Sequence, residues 1–236
     1  TKLALSIHIV TNDEGETELN ENDIYNNLEA LNKSFQPILM GFEITSVKYI
    51  NSNRLFNFSY QYDRKLLESY CIPNTINIFY VNDITIKSGG NYCGFTHYPT
   101  AGKDFILLKN SCTINYTTLI HEMGHYFGLY HTHETSFGKE KEDGSDGNIT
   151  GDLICDTPSE EPVPTTVMSQ SNGDEISLFN FMSYAPKEKR NSFTQGQYNK
   201  MTEVYCAFKS HIDKVAVDIT ASDTLVYRGT SVNIFV

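Results

Sequence analysis

Apolar and polar residues alternate over short stretches in the first half of the chain. Residues 2–10 alternate in this way and predict a strand. Between about 21 and 35 the apolar residues recur at helical spacing, which predicts an amphipathic helix. The segments 42–50, 75–81 and 105–109 are rich in strand-forming residues, and the second of them is apolar enough to be a buried strand. The pattern predicts a domain that mixes strands with helices.

The second half contains two helical patterns and a long polar connection. Residues 89–100 are rich in glycine and aromatic side chains, which suits an exposed edge strand or rim. The best helix prediction covers 113–128, and a last helix is predicted from about 195 to 210 with Thr194 as its N-cap. The polar residues 132–178 are too many for an ordinary connection, so we expect them to be functional or held by ions or disulfides.

The chain changes character beyond residue 213, where short alternating strands follow one another. We therefore predict one domain over residues 1–213 and the start of a truncated β-sandwich domain over 214–236. A tail of strands that pairs with the main sheet is the alternative. At the other end, the residues after Thr1 have the pattern of a strand rather than of a signal peptide, as expected of a mature or trimmed form.

Composition excludes several classes of function. The 236 residues carry a formal net charge of -11, which argues against nucleic acid as a partner because nucleic-acid-binding domains usually present a basic face. The acidic balance is compatible with basic substrates, or it only aids solubility. No apolar run approaches the length of a membrane span.

The segment HEMGHYFGLYH at residues 121–131 carries the strongest chemical signal. Each helical residue advances about 100°, so His121 and His125 lie one turn apart on one face, as two chelating imidazoles require. Gly128 is able to end the helix, which lets the chain turn back and bring His131 to the same metal. Three neutral imidazoles with an open fourth position are typical of catalytic zinc, whereas structural zinc sites are usually closed by a fourth protein ligand.

Glu122 lies at the edge of the arc that carries the two helical histidines. Zinc lowers the pKa of a bound water toward neutrality, and Glu122 is placed to take its proton and pass it to a leaving amine. Ordinary surface histidines or a structural zinc site are the alternatives. The five fixed positions of the motif make a chance match rare, so we predict a zinc-dependent hydrolase with Glu122 as general base.

The motif and a later methionine turn resemble the signature of the metzincin zinc proteases. The turn candidate is NFMSY, in which Met182 is followed by Tyr184. Within the metzincins the chain resembles the pappalysin family, which includes ulilysin-like bacterial proteases. The resemblance covers roughly residues 1–211 and is strong from 105 onward. The matching segments are KNSCTINYTTLIHEMGHYFGLYHTH, GDLICDTP and RNSFTQGQYNKM.

The resemblance implies an α+β fold with two subdomains and a cleft between them. A twisted mixed sheet and two long helices lie above the cleft, and an irregular lower subdomain holds the methionine turn and the C-terminal helix. Met182 would form the apolar floor beneath the zinc, and Tyr184 would hydrogen-bond the developing oxyanion or approach the metal. A core methionine and a core tyrosine are the simpler alternatives.

The resemblance also implies a calcium site after the zinc motif. Asp152 and Thr157 of GDLICDTP, with Asp156 near them, offer the hard oxygen ligands that Ca²⁺ prefers. A solvated acidic loop is the alternative.

The chain has five cysteines, and sequence alone does not fix how they pair. The pairs that we expect are Cys112–Cys155 and Cys71–Cys93, with Cys206 left over.

Several pappalysin relatives cut before a basic residue by means of an acidic group shortly after the methionine turn. The matching position here is Glu188, whose carboxylate would pair with an incoming arginine. Its neighbours Lys187, Lys189 and Arg190 oppose this reading, and a solvated surface residue is the alternative. The hypothesis is a modest preference for a basic residue after the cut.

The predicted function is that of a zinc-dependent endopeptidase, secreted or at the cell surface, which acts as a monomer on proteins or peptides. Zinc and calcium are the expected metal ions. The alternatives are a catalytically silent binding or adhesion module on a protease scaffold, and a metal-dependent hydrolase of non-peptide substrates. Because Glu122, Tyr184 and all three histidines are present, the sequence gives no support to a silent module.

Overall fold

The computed structural model describes residues 1–87, 89–99, 105–141, 143–158, 179–212, 220–221 and 234–235. The strands in these ranges are β1 (Lys2–Thr11), β2 (Gly41–Asn51), β3 (Asn57–Ser59), β4 (Ile76–Val81), β5 (Asp83–Thr85), β6 (Gly94–Thr96), β7 (Phe105–Lys109), β8 (Thr220–Ala221) and β9 (Ile234–Phe235). The α-helices are α1 (Glu21–Phe35), α2 (Asn53–Phe56), α3 (Tyr60–Glu68), α4 (Thr117–Tyr126) and α5 (Gln195–Val204). The strands and helices predicted from periodicity before residue 213 are thereby confirmed, apart from the start of the helix predicted at 113–128.

A five-stranded mixed sheet, in the order β2-β1-β4-β7-β6, organises the described part of the chain. The first four strands run parallel, and β6 pairs antiparallel with β7 at one edge. The α+β class and the prediction of an edge strand within 89–100 are therefore correct. Short parallel pairing also joins β3 to β5 outside this sheet.

Two apolar cores cover the two faces of the sheet. Along β4, Ile78 and Tyr80 point into the core shared with α1 and α4, whereas Phe79 and Val81 point into the core beneath α2 and α3. Successive strand side chains face opposite ways, so a strand buried on both faces is apolar almost throughout. This double burial explains why β4 and β7 are the most apolar strands of the sheet. The helix α4 lies on the face to which Ile78 and Tyr80 point.

The helix that carries the motif is shorter than predicted. It begins at Thr117 rather than at 113, because a 3₁₀ turn at Asn110–Cys112 comes first and the Thr113 carbonyl accepts a hydrogen bond from Asn27 Nδ2 at 2.9 Å. The N-cap predicted for the last helix is correct. Thr194 accepts from the backbone of Gln197 and forms a capping box with it.

Both predicted disulfides are wrong. Cys93 bonds to Cys112, with their Cα atoms 5.4 Å apart. Cys93 directly precedes β6, and its carbonyl accepts from the Lys109 amide at 2.9 Å because β6 runs antiparallel to β7. This pairing brings Cys93 to the turn after β7, so it is unavailable to Cys71, and Cys155 lies exposed at the surface. The antiparallel edge was not visible in the spacing of the cysteines.

The C-terminal prediction falls mostly outside the described residues. Within the described part, β8 pairs antiparallel with β9, while the rest of 213–236 and residues 159–178 of the long polar connection are not covered. The division at residue 213 therefore stays a prediction. No helix among the described residues is both long and apolar enough to cross a lipid bilayer.

Candidate active site

The structure brings His121, His125 and His131 together at one point beside α4. Their Nε2 atoms form a triangle whose sides are 3.2 Å, 3.2 Å and 3.0 Å. His121 and His125 reach it from successive turns of the helix. Among the described residues, no other group of three or more histidine, cysteine or carboxylate side chains is arranged so that it could hold a metal ion.

The third histidine arrives through a turn that depends on glycine. Gly128 has a φ of +89°, a left-handed conformation that other residues rarely adopt, and its amide donates to the His125 carbonyl at 2.8 Å. The Leu129 amide then donates to the Gly124 carbonyl at 2.9 Å, which closes the end of the helix. The chain reverses there, and His131 lies opposite the helical pair.

Backbone carbonyls fix the tautomers of the two helical histidines. His121 Nδ1 donates to the Phe181 carbonyl and His125 Nδ1 donates to the Leu129 carbonyl, each at 2.7 Å. A carbonyl only accepts, so Nδ1 carries the proton and Nε2 is left with a bare lone pair. Burial lowers the pKa of all three histidines, that of His125 to about 4, so the three are neutral at pH 7.

These bare nitrogens fit a zinc ion. Zinc–nitrogen bonds of about 2.0–2.1 Å in a tetrahedral site place two ligand nitrogens about 3.3 Å apart. The observed separations of 3.0–3.2 Å are close to this value. Lone pairs that face one another at such distances repel unless a cation lies between them. The donor set of three neutral imidazoles, each oriented by a second contact or by the turn, is therefore suited to zinc.

Glu122 lies buried between the histidine cluster and the edge strand β6. Burial raises its pKa to about 8, while the nearby Lys187 opposes that rise. Gly94 of β6 leaves the room that this side chain occupies, since a Cβ built on Gly94 would stand 2.6 Å from Glu122 Oε1. Sequence reasoning did not single out Gly94, because its role depends on how β6 meets α4.

Met182 packs directly beneath α4. Its side chain is fully buried, and a Cβ built on Gly124 would stand 2.5 Å from its sulfur, so the close approach requires glycine on the helix. The Met182 amide donates to Asn180 Oδ1 at 2.8 Å, and its carbonyl accepts from the Thr132 amide at 3.3 Å. These bonds tie the turn to the segment that carries His131.

The ring of Tyr184 packs against the rings of His131 and His133. Its ring centroid is 4.6 Å from that of His131 and 4.3 Å from that of His133. His133 stacks on His131 at 5.0 Å with nearly parallel rings, a contact that sequence reasoning missed although the residue is only two positions beyond the motif. Burial raises the pKa of Tyr184, so its phenol keeps its proton at neutral pH.

The residues predicted to bind calcium form hydrogen bonds with one another and with the nearby backbone. Thr157 Oγ1 donates to Asp152 at 2.8 Å, and Asp152 also accepts from the Ile154 amide at 3.0 Å. Asp156 accepts from Thr194 Oγ1 and from the Gly196 amide, each at 2.7 Å, and so joins this loop to the start of α5. Burial raises the pKa of Asp152 to about 7, and the calcium site stays a prediction.

Glu188 is exposed, and its neighbour Lys187 is the residue that reaches the site. Lys187 is half-buried, and its Nζ donates to Thr118 Oγ1 on α4 at 3.0 Å. Among the described residues, no hydrogen bond or ion pair connects the Glu188 side chain to the histidine cluster. Sequence reasoning treated Lys187 only as a charge that would weaken Glu188.

Comparisons with known proteins match a part of the chain that contains the histidine cluster. Residues 73–205 match the model of a peptidase family, M43, described as pregnancy-associated plasma protein-A. An extracellular metalloprotease of Neurospora crassa is 28% identical over 212 residues, which are 80% of this chain and 68% of that protein. One of Sordaria macrospora is 27% identical over 212 residues, with the same 80% and 68% coverage.

A solved structure is also similar. Metalloproteinase-II from Bacteroides fragilis is 12% identical with a TM-score of 0.49, and the match covers 86% of this chain and 53% of that chain. The chain therefore spans about half the length of that protein.

Proposed function

Because the chain belongs to the M43 peptidases, the pregnancy-associated plasma protein-A family of metzincin-type metalloproteases, we propose that it is a zinc-dependent endopeptidase. One observation carries the proposal: the Nε2 atoms of three neutral histidines lie 3.0–3.2 Å apart beside the buried side chain of Glu122. Zinc bound there would polarise the scissile carbonyl and lower the pKa of a ligated water.

Glu122 acts as the proton carrier of the reaction. Its carboxylate accepts a proton from the attacking water as the new carbon–oxygen bond forms, and it delivers that proton to the leaving nitrogen as the carbon–nitrogen bond breaks. Burial raises the pKa of the Glu122 carboxyl group in the metal-free protein, and the positive charge of a zinc ion bound at the neighbouring histidines would lower it again, so that the carboxylate is available as a base. The proton is transferred in a site from which water is largely excluded.

Tyr184 stabilises the oxygen that becomes negative. Its phenol keeps its proton, since burial raises its pKa, and its ring lies against His131. A protonated phenol at this place is a hydrogen-bond donor for the carbonyl oxygen when charge develops on it. Met182 supports the cluster from below through the contact with Gly124, and the Phe181 carbonyl beside it orients His121.

Secretion is part of the proposal. Relatives of this chain are named extracellular metalloproteases, and the disulfide Cys93–Cys112 suits an oxidising compartment. The proposal further includes protein or peptide substrates and a monomeric state. It also includes a calcium ion bound near Asp152 and Thr157. A preference for a basic residue after the cut, through the exposed Glu188, stays a prediction that the peptide cleavage series described below tests.

Digestion of casein with and without a zinc chelator tests the proposal. The wild-type protein should degrade casein, a chelator should stop it, and added zinc should restore it. The matched control is Glu122→Gln, which keeps the size of the side chain and removes the base. It should bind about one zinc per chain, as measured by elemental analysis, and lose about 10²–10⁴-fold in turnover. Near-normal turnover by Glu122→Gln would contradict the mechanism.

The same digestion distinguishes the alternatives. A zinc-loaded protein that binds casein but leaves it intact would indicate a silent binding module. A protein that leaves peptides intact and hydrolyses small esters would indicate a hydrolase of another class.

A further inference from the structure

The ammonium group of Lys187 lies on the Glu122 side of the histidine cluster. Lys187 follows the methionine turn, and its Nζ donates to Thr118 Oγ1 at 3.0 Å. Thr118 precedes Glu122 by one turn of α4, so both residues lie on the same stripe of the helix. The hydrogen bond to Thr118 therefore puts the ammonium group on the side of α4 that carries Glu122.

Lys187 is held there in a defined way. The hydroxyl of Thr118 donates to the Cys112 carbonyl at 3.3 Å, so its oxygen is left as an acceptor for the lysine. An ammonium has three N–H donors, and Thr118 accepts from one of them. In the parts of the chain that the structure describes, no carboxylate lies within ion-pair distance of Lys187. Its side chain is half-buried, so it is also reachable from solvent.

A second cationic group, that of Arg190, acts on Lys187. Arg190 is buried nearby, and its Nε donates to the Ala185 carbonyl at 2.7 Å. Its charge lowers the pKa of Lys187 further than burial alone does, and it acts in the same direction on His121. The carboxylate that faces Lys187 is Glu122, which takes up a proton during the reaction that we propose.

The chemistry of the reaction determines which substrate residue meets Lys187. Glu122 has to reach the leaving nitrogen in order to protonate it, so that nitrogen must come within hydrogen-bonding distance of Glu122. The nitrogen belongs to the residue immediately after the scissile bond, and the side chain of that residue begins two bonds away. Tyr184, the proposed donor to the carbonyl oxygen on the other side of the scissile bond, lies against His131 and His133. The first residue after the cut is therefore the one whose side chain approaches Lys187.

Resting on the proposed function, we infer that Lys187 is a specificity-determining residue that selects an acidic side chain immediately after the scissile bond. The ammonium binds the incoming carboxylate, which replaces bulk water as its partner. A partly buried, charge-assisted hydrogen bond is stronger than an exposed one, and a cationic side chain at the same place would be repelled. The preference is opposite in sign to the one expected from Glu188.

Cleavage of a matched peptide series tests the inference. The peptides differ only at the residue after the cut, which is Glu, Gln or Lys, and kcat/KM is measured for each. We expect the wild type to prefer Glu over Gln by about tenfold, since hydrogen bonds to charged groups discriminate at this level. Peptides with Lys should be cleaved more slowly than those with Gln. The ratio within one preparation does not depend on the folded fraction, so a variant that folds poorly still gives a result.

Four variants separate the candidates for the selecting charge. Lys187→Gln keeps a donor for Thr118 and removes the charge, so it should abolish the preference for Glu; Lys187→Glu should reverse it. Lys189→Gln is the matched control, since it removes an equal charge from an exposed neighbour and should leave the ratios unchanged. A wild-type preference for Lys that disappears in Glu188→Gln would assign the selection to Glu188 and overturn the inference. Unchanged ratios in Lys187→Gln would overturn it as well.

A binding measurement distinguishes failure of this inference from failure of the proposed function. Labelled product-like peptides that begin with Glu, Gln or Lys are titrated with the zinc-loaded wild type and with Lys187→Gln, and fluorescence polarisation is recorded. Tighter binding of the Glu peptide that is lost in Lys187→Gln supports the inference even if casein is not digested. Digestion of casein together with equal binding of all three peptides would leave the protease function intact and refute the role of Lys187.

Discussion

The backbone of Gly94 lies against the carboxyl group of Glu122, so closely that a Cβ on Gly94 would stand 2.6 Å from Oε1 and 2.7 Å from Cγ. Real Cβ atoms do not approach other heavy atoms at such distances. Gly94 is the first residue of the edge strand β6, and the strand therefore shapes the space in which the proposed base is held. The absence of a side chain at this position is a condition for the geometry of Glu122.

Replacing Gly94 with alanine should impair turnover and leave zinc binding intact. The added methyl group displaces the Glu122 side chain, and a misplacement of about 1 Å in a reacting group costs about 10²-fold in rate. The three atoms nearest to a Cβ on Gly94 all belong to Glu122 rather than to a histidine, so the zinc content should stay near one per chain. Kinetics with one peptide and elemental analysis of the same preparation measure the two effects.

Gly41→Ala is the matched control for this substitution. Gly41 also begins a strand of the same sheet, and a Cβ there would meet Asn32 Oδ1 and Lys2 Cγ at 3.4 Å, which is ordinary contact. It should change turnover little. Equal activity of Gly94→Ala and Gly41→Ala would show that Glu122 is not confined by β6.

Periodicity in the sequence was sufficient to locate β1, α1, β2, β4 and β7, because each is buried in a way that leaves a regular apolar pattern. The motif likewise located the three histidines, since two lie one helical turn apart and a glycine follows. Neither periodicity nor the motif could predict contacts between segments that are distant in the sequence. The hydrogen bond from His121 to the Phe181 carbonyl spans 60 positions, and the fit of Gly94 to Glu122 depends on how β6 packs on α4.

The same limit explains the error in the disulfide pairing. Cys93 was paired with the wrong partner because the antiparallel addition of β6 to β7 leaves no signature in the cysteine spacing. The choice of Glu188 rested on a family pattern and stays a prediction, whereas the contact of Lys187 with α4 is visible only in the structure.

Removal of the disulfide should destabilise the edge of the sheet next to the proposed base. Cys93 and Cys112 are 19 positions apart, and closing a loop of this length stabilises a fold by about 3 kcal/mol. Cys93→Ser with Cys112→Ser should lower the free energy of unfolding by an amount of this order in urea denaturation. Activity should fall together with stability, because β6 carries Gly94. The single variant Cys206→Ser, which changes an exposed thiol, should leave both quantities unchanged.

The metal-free protein should lose stability as the pH falls below about 6.5, the ordinary pKa of histidine. Burial lowers the pKa of His121, His125 and His131 in the folded state, that of His125 to about 4. Between these pH values the unfolded chain binds protons that the folded chain does not, so acidification favours unfolding. For His125 alone the loss is on the order of 3 kcal/mol, at about 1.4 kcal/mol for each unit of pKa shift.

Glu122 contributes with the opposite sign. Its pKa is raised to about 8, so the folded state binds the extra proton and loses stability as the pH rises from about 4.5 toward 8. Urea denaturation of the apoprotein between pH 4 and 8 measures both effects. Glu122→Gln should remove the alkaline loss and keep the acidic one. A Glu122→Gln apoprotein, in which this opposing contribution is removed, should become less stable between pH 6.5 and 4.5; unchanged stability in that variant would contradict the burial of neutral histidines.

Zinc should be released over the same acidic pH range, because a protonated imidazole has no lone pair with which to bind the metal. The bound zinc is measured after dialysis at each pH. The loss should occur at lower pH when free zinc is present, since metal and proton compete for the same nitrogens.

Tyr184→Phe should reduce kcat and leave KM, zinc content and stability nearly unchanged. The substitution removes only the phenolic oxygen, which we place near the oxyanion, and loss of one such donor costs about 10²–10³-fold in kcat. Because burial raises the pKa of Tyr184, the phenol stays protonated at neutral pH and its loss should not shift the pH optimum.

The matched control for this prediction is Tyr198→Phe. Tyr198 is partly buried on α5, and its hydroxyl donates to the Ser34 carbonyl at 2.9 Å. That substitution should cost about 1 kcal/mol of stability, the usual worth of one hydrogen bond, without a change in kcat. The two variants should therefore change different quantities: Tyr184→Phe lowers turnover, and Tyr198→Phe lowers the urea midpoint. If Tyr184→Phe behaves like Tyr198→Phe, the tyrosine beside His131 is part of the core and takes no part in the chemistry.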